Sequence, residues 1–124
     1  MKIVKSMMIF VGISGAFSVL FGAWLAHAGQ MLPLEAQSHL ASALQYQFIH
    51  TLALFMTLLW HKQQPSKTLM FACTSFVVGI LCFSGSLYLK TLFDFTYIGK
   101  TAPFGGISFA LGWLTLALAG KNKL

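Results

Sequence analysis

His50 is the side chain of this sequence best suited to hold or move a proton. It stands inside a long apolar segment, with Tyr46 one helical turn before it and Ser42 two turns before it. An imidazole in such surroundings must be neutral, partnered or hydrated. It then offers a proton relay, a ligand contact or a structural hydrogen bond. Gln45 and Gln47 flank Tyr46, and a buried amide asks for up to four hydrogen bonds. Ser84 and Ser86 carry two further hydroxyls in a second apolar segment. The candidate polar site is therefore Ser42, Gln45, Tyr46, His50, Ser84 and Ser86.

Other chemistries find too few parts. A serine nucleophile needs a sharp strand-to-helix turn and a nearby base, whereas Ser84-Gly85-Ser86 lies in an apolar run with Asp94 ten residues beyond Ser84. No catalytic residues are assigned and no enzymatic activity is expected. His27, His39 and Glu35 cluster in sequence, but no HxxxH pair occurs and their spacing is unspecific for a metal. His27 and His50 differ in depth, which disfavours a shared haem. Neither a metal nor a cofactor is expected. Cys73 and Cys82 are nine apart, on opposite faces of one helix, and fit small packing residues.

The elements that position these residues follow from four apolar stretches, which predict helices at about 6–28, 34–60, 67–90 and 102–120 of the 124 residues. A helix of about 20 residues crosses a hydrocarbon core of about 30 Å. Only 8% of the residues are charged and 57% are hydrophobic, against about 25% charged in soluble domains. The fold expected is all-α: one integral membrane domain over 1–124, a four-helix up-down-up-down bundle, because short loops make sequence neighbours antiparallel neighbours. The candidate site becomes intramembrane.

The net charge of +6 comes from lysine alone. Lys2, Lys5, Lys62, Lys67, Lys121 and Lys123 fall on one side of four crossings, and Lys90 and Lys100 on the other. The positive-inside rule then places both termini in the cytoplasm of an inner-membrane protein. Lysines at helix ends speak for topology and not for nucleic acid, which is not expected as a partner. Lys2, Lys5 and Ala26-His27-Ala28 give the first segment the outline of a signal peptide. Its apolar run is too long for one and contains Gly12, Gly15 and Gly22, so a retained helix is expected.

Within lipid, small residues mark where helices meet. Ser14, Ser18, Gly22 and Ala26 form such a row on helix 1 and are its expected packing face. On helix 2, Ser42, Tyr46, His50, Ala53 and Thr57 share one side, expected to face inward. Leu40, Leu44, Phe48, Leu52, Phe55 and Leu59 lie opposite, expected to face lipid. Pro33 suits the first position of helix 2, Ser66 or Lys67 opens helix 3, and Thr101 is the expected cap of the last helix. Trp24, Trp60, Tyr88 and Tyr97 fit interfacial anchors.

Four motifs, in order along the chain, carry a family likeness. Phe21-Gly22-Ala23-Trp24-Leu25-Ala26-His27-Ala28 resembles "GAFGAH". The run from Ala43 to Leu54, with Gln45-Tyr46-Gln47-Phe48-Ile49-His50 at its centre, resembles "AVQYQLIHALAL". Phe83-Ser84-Gly85-Ser86-Leu87-Tyr88 resembles "FSGSLY". Ala102-Pro103-Phe104-Gly105-Gly106 through Gly112-Trp113 resembles "TPIGG…AGW". The chain resembles the YgdD group of small bacterial inner-membrane proteins, domain of unknown function 423, itself similar to eukaryotic transmembrane protein 256. That resemblance implies a four-helix inner-membrane protein and no particular substrate, cofactor or reaction. The function expected is non-enzymatic, through helix packing with itself (a homo-oligomer) or a larger membrane complex, with membrane lipid around it. The alternative is binding or transport of a small solute or proton along the polar face centred on His50.

Overall fold

The computed structural model describes residues 2–124, the side chain of Thr96 excepted. Its long elements are α1 (Lys2–Ala26), α2 (Leu34–Gln63), α3 (Lys67–Gly79), α4 (Gly85–Phe93) and α5 (Ala102–Lys123). Short 3₁₀ turns at Ala28–Met31 and Thr96–Thr101 join α1 to α2 and α4 to α5. A wide π turn, Ile80–Ser84, fuses α3 and α4 into one rod. Among the described residues every regular element is helical.

Local chemistry sets the ends. Pro33 has extended ψ (149°) and stands just before α2 rather than at its first helical position. Its carbonyl accepts the Gln37 N–H at 3.0 Å. Ser66 caps α3: its hydroxyl accepts the N–H groups of Thr68 and Leu69 at 3.1 and 3.3 Å. Thr101 does not cap α5. It has helical backbone angles, and its hydroxyl lies 2.8 Å from the Ile98 carbonyl and 3.2 Å from that of Cys82. Asp94 ends α4 in the left-handed region, φ 58°, a conformation that Asp tolerates better than most residues.

The third helix expected from sequence is thus two helices in line. The π turn has a visible setting. Gly105 of α5 lies so close to the backbone of Phe83 that an added Cβ would collide with it. Two further contacts continue this seam: the Phe109 ring covers Gly79, and the Phe76 ring covers Gly112. Residue numbers rise on one helix as they fall on the other, so the α3–α4 rod and α5 run in opposite directions. Absence of Cβ at these glycines is what lets the backbones come together.

α1 packs on α2. Ser14 and Ser18 are buried, and a Cβ on Gly22 would stand 3.3 Å from Leu44. Ala26, at the end of the small-residue row, is exposed. Leu54, Leu58, Phe76, Ile80 and Phe109 form the centre of the core, with Met7 at one end.

The buried face of α2 overlaps the one read from its wheel without coinciding with it: His50, Ala53 and Thr57 are buried and Ser42 is half-buried. Leu40 is 0% exposed, and Leu54 and Leu58 are also buried, whereas Tyr46 is 45% exposed. At 100° per residue, the buried arc is turned by roughly 70° from the stripe through Ser42, Tyr46 and His50. The cause is contact on two sides, with α1 on one flank and the α3–α4 rod on the other. Phe48, Leu52, Phe55 and Leu59 do point outward.

Three segments are long and apolar enough to cross a membrane: Lys2–Ala26, Lys67–Phe93 and Tyr97–Lys123. α2 has the length, at 30 residues, but its inward amides, hydroxyls and imidazole lower its hydropathy.

Candidate functional site

His50 lies near the middle of α2 and is 4% exposed. Its Nδ1 stands 2.7 Å from the Tyr46 carbonyl, one turn earlier on the same helix. Its Nε2 receives the indole N–H of Trp113 of α5 at 2.9 Å. An indole nitrogen only donates, so Nε2 must present a lone pair. The ring proton therefore sits on Nδ1 and points at the Tyr46 carbonyl. The imidazole is neutral and both nitrogens are engaged. Its face stacks on Phe109 (centroids 3.6 Å apart, planes 13° apart), and the rings of Phe76 and Trp113 approach at 5.8 Å. A metal, or a proton arriving at Nε2, would have to displace Trp113.

A second polar cluster ties three helices together. The Thr51 hydroxyl donates to the Gln47 carbonyl at 2.6 Å, so its oxygen is free to accept the Ser14 hydroxyl at 2.8 Å. Ser14 in turn accepts the Gln47 side-chain N–H at 2.9 Å. The Gln47 side-chain oxygen accepts the Tyr88 phenol at 2.6 Å. Each hydroxyl proton is thereby assigned, and α1, α2 and α4 share one directed circuit. Ser18 adds a bond to the Ser14 carbonyl at 2.8 Å. In a dry interior such a circuit is favourable only when every member is satisfied.

The six residues singled out from sequence divide. Tyr46 and His50 are neighbours, their rings parallel at 5.9 Å. Ser84, 0% exposed, donates across to the Ala43 carbonyl of α2 at 2.7 Å. Ser86 donates at 3.0 Å to Phe83 in its own rod. Ser42 is half-buried and Gln45 exposed; the amide drawn inside is Gln47. Tyr88, expected as an interfacial anchor, belongs to the second polar cluster. Trp113, Phe109, Thr51 and Tyr88 were missed as site residues. The His50–Trp113 pair is separated by 63 positions, and nothing local in the sequence joins them. For Gln47 and Thr51 the i, i+4 spacing is a local signal, and it lies beside the stripe through His50.

The arrangement can orient, hold and pack. Both nitrogens of His50 and the hydroxyl proton of Ser84 are committed to protein partners, so neither cluster sets a nucleophile beside a free base. Among the described residues, no three His, Cys, Asp or Glu side chains converge as a metal site would require. Cys73 and Cys82 are free thiols.

Polar groups turned inward, and long apolar helices with large apolar side chains turned outward, define a helical membrane protein. The chain belongs to the family described as protein of unknown function DUF423, whose model matches residues 21–106. It is 36% identical over 115 residues to a UPF0382 membrane protein of Haemophilus influenzae, covering 91% of this chain and 92% of that one. It is 32% identical over 121 residues to the UPF0382 inner membrane protein YgdD of Escherichia coli K12, covering 97% and 92%. With the UPF0382 membrane protein YwdK of Bacillus subtilis it shares 28% over 122 residues, covering 97% and 99%. No solved structure matches the chain.

Proposed function

We propose that the protein is a non-enzymatic integral protein of the inner membrane that works by helix packing, with a second copy of itself or with a membrane partner. α1, α2, the α3–α4 rod and α5 cross in turn, up-down-up-down, and leave both termini in the cytoplasm. α2 is counted as a crossing because its buried polar side chains, Gln47, His50, Thr51 and Thr57, are bonded within the bundle and need no water. The lysine distribution, six against two, supports the orientation.

One observation carries the functional reading. The buried polar groups most able to do chemistry are consumed by internal bonds: His50 by Tyr46 and Trp113, Ser84 by Ala43, and Gln47 by Ser14 and Tyr88. Meanwhile Ile9, Ile13, Leu20, Met56 and Leu114 present large apolar surfaces outward, where lipid or another helix must cover them. The same observation disfavours a proton path through His50, since each ring nitrogen would first have to give up its partner.

Crosslinking in native membranes tests this. A discrete dimer or a discrete product with one membrane partner is expected. Monomers alone, with nothing co-purifying, would contradict it. A liposome flux assay separates the alternative: flux abolished by His50→Ala would establish a path, and no flux in either form removes it.

A further inference from the structure

We propose that a crevice between the start of α1 and the end of α2 seats the phosphate of an anionic phospholipid headgroup. Val4, Lys5 and Met8 of α1 and Leu59, His61 and Lys62 of α2 line a space of about 320 Å³, within the size range of small-ligand sites. The proposal rests on the chain lying in a bilayer, and is independent of what the bundle packs against.

The lining has the two chemistries of a phospholipid side by side. Lys5 and Lys62 supply ammonium groups for a phosphodiester. Val4, Met8 and Leu59 supply an apolar wall for the adjoining acyl chain. A free phosphate would have no use for that wall, so the occupant is the lipid. Basic pockets between membrane helices bind anionic headgroups in this way.

Among the described residues no acidic side chain competes for the two lysines. The chain has only two side-chain carboxylates, Glu35 and Asp94. Glu35 lies at the opposite end of α2 from Lys62, about 40 Å away at 1.5 Å per residue. Asp94 is separated from Lys67 by the length of the α3–α4 rod, again about 40 Å. His61 is fixed across the turn, its Nδ1 lying 3.1 Å from the Ser66 carbonyl oxygen and 3.2 Å from the Ser66 nitrogen. Lys67 lines an adjoining crevice that shares His61, so the positive charge continues along the same edge.

The test uses the full-length protein in detergent, with bound lipid counted by native mass spectrometry during titration with phosphatidylglycerol, phosphatidylcholine or inorganic phosphate. Phosphatidylglycerol should be retained and phosphatidylcholine lost, and inorganic phosphate at equal concentration should not displace the lipid. Lys5→Gln/Lys62→Gln should weaken retention roughly 30-fold, and Lys62→Gln alone about fivefold. Lys121→Gln/Lys123→Gln removes the same charge outside the crevice and should change retention less than twofold. Circular dichroism checks folding; if the double variant does not fold, the Lys62→Gln arm decides. Equal losses in the two double variants would overturn the proposal, as would equal retention of both lipids or displacement by inorganic phosphate. In each of those cases a continued need for amphiphile would leave the membrane reading standing.

Discussion

Trp113 donates its indole N–H to Nε2 of His50 across 2.9 Å, and this one bond determines which nitrogen of the imidazole carries the proton. It also joins α5 to α2 at the centre of the bundle, where the imidazole face already rests on Phe109. The residue most suggestive of proton chemistry in the sequence is held as a hydrogen-bonded cross-brace.

Trp113→Phe keeps most of the ring and removes the donor. It should destabilise the bundle by about 1 kcal/mol, the scale of interhelical hydrogen bonds in membranes. His50→Leu should cost a similar amount and keep the fold. Made together they should cost less than the sum, because the second change removes a bond already lost. Unfolding in mixed micelles measures this; strict additivity would mean that the two side chains do not interact.

Nitrogen NMR of ¹⁵N-histidine protein reads the tautomer directly. The His50 Nδ1 should be protonated and Nε2 bare. Trp113→Phe should shift the Nε2 resonance and leave Nδ1 nearly unchanged. A protonated Nε2 in the unmodified protein would rule out the bond from Trp113.

Gln47→Leu removes the hub of the cluster that ties α1, α2 and α4: Tyr88 loses its partner, and Ser14 keeps only Thr51. A loss of about 1–3 kcal/mol is expected for buried polar groups so orphaned. Gln45→Leu, two residues away on an outward face, should change stability by less than 0.5 kcal/mol, an order typical of surface positions. The comparison is made by thermal unfolding in one detergent, and equal losses would refute the assignment.

The seam between the α3–α4 rod and α5 gives a graded series. Gly105→Ala presses a methyl group into the Phe83 backbone, and Gly112→Ala presses one into the Phe76 ring, 2.6 Å away at its closest atom. Both should destabilise by about 1–3 kcal/mol, the first more, since backbone yields less than a ring. Gly106→Ala meets nothing within 4 Å and should be neutral or slightly stabilising through helix propensity. The same melting experiment checks the order, and a larger loss at Gly106 than at Gly105 would reverse it.

The helices were legible because apolar runs of membrane-spanning length leave little choice of structure, and Ser66 announced the start of α3 by its capping chemistry. The placement of α1 against its neighbour could be read from Ser14, Ser18 and Gly22, though not which chain supplied that neighbour. The π turn was hidden, since its setting is a tertiary contact between Phe83 and Gly105 rather than a local breaker. Leu40 and Tyr46 exchanged places for a related reason. A wheel shows a polar stripe, but a helix flanked on two sides buries a broader arc, and the stripe through His50 lies toward one edge of it. Gln47 was preferred over Gln45 by a rotation that only Ser14 and Tyr88, on other helices, decide.

Four crossings with α2 among them is the claim on which the rest depends, and cysteine accessibility tests it most directly. With Cys73 and Cys82 replaced by alanine, single cysteines at Gln30 and Gln64 bracket α2. In intact cells an impermeant thiol reagent should label position 30 and spare position 64, which should react only after the membrane is opened. Labelling of both positions from outside, or of neither, would show that α2 does not cross.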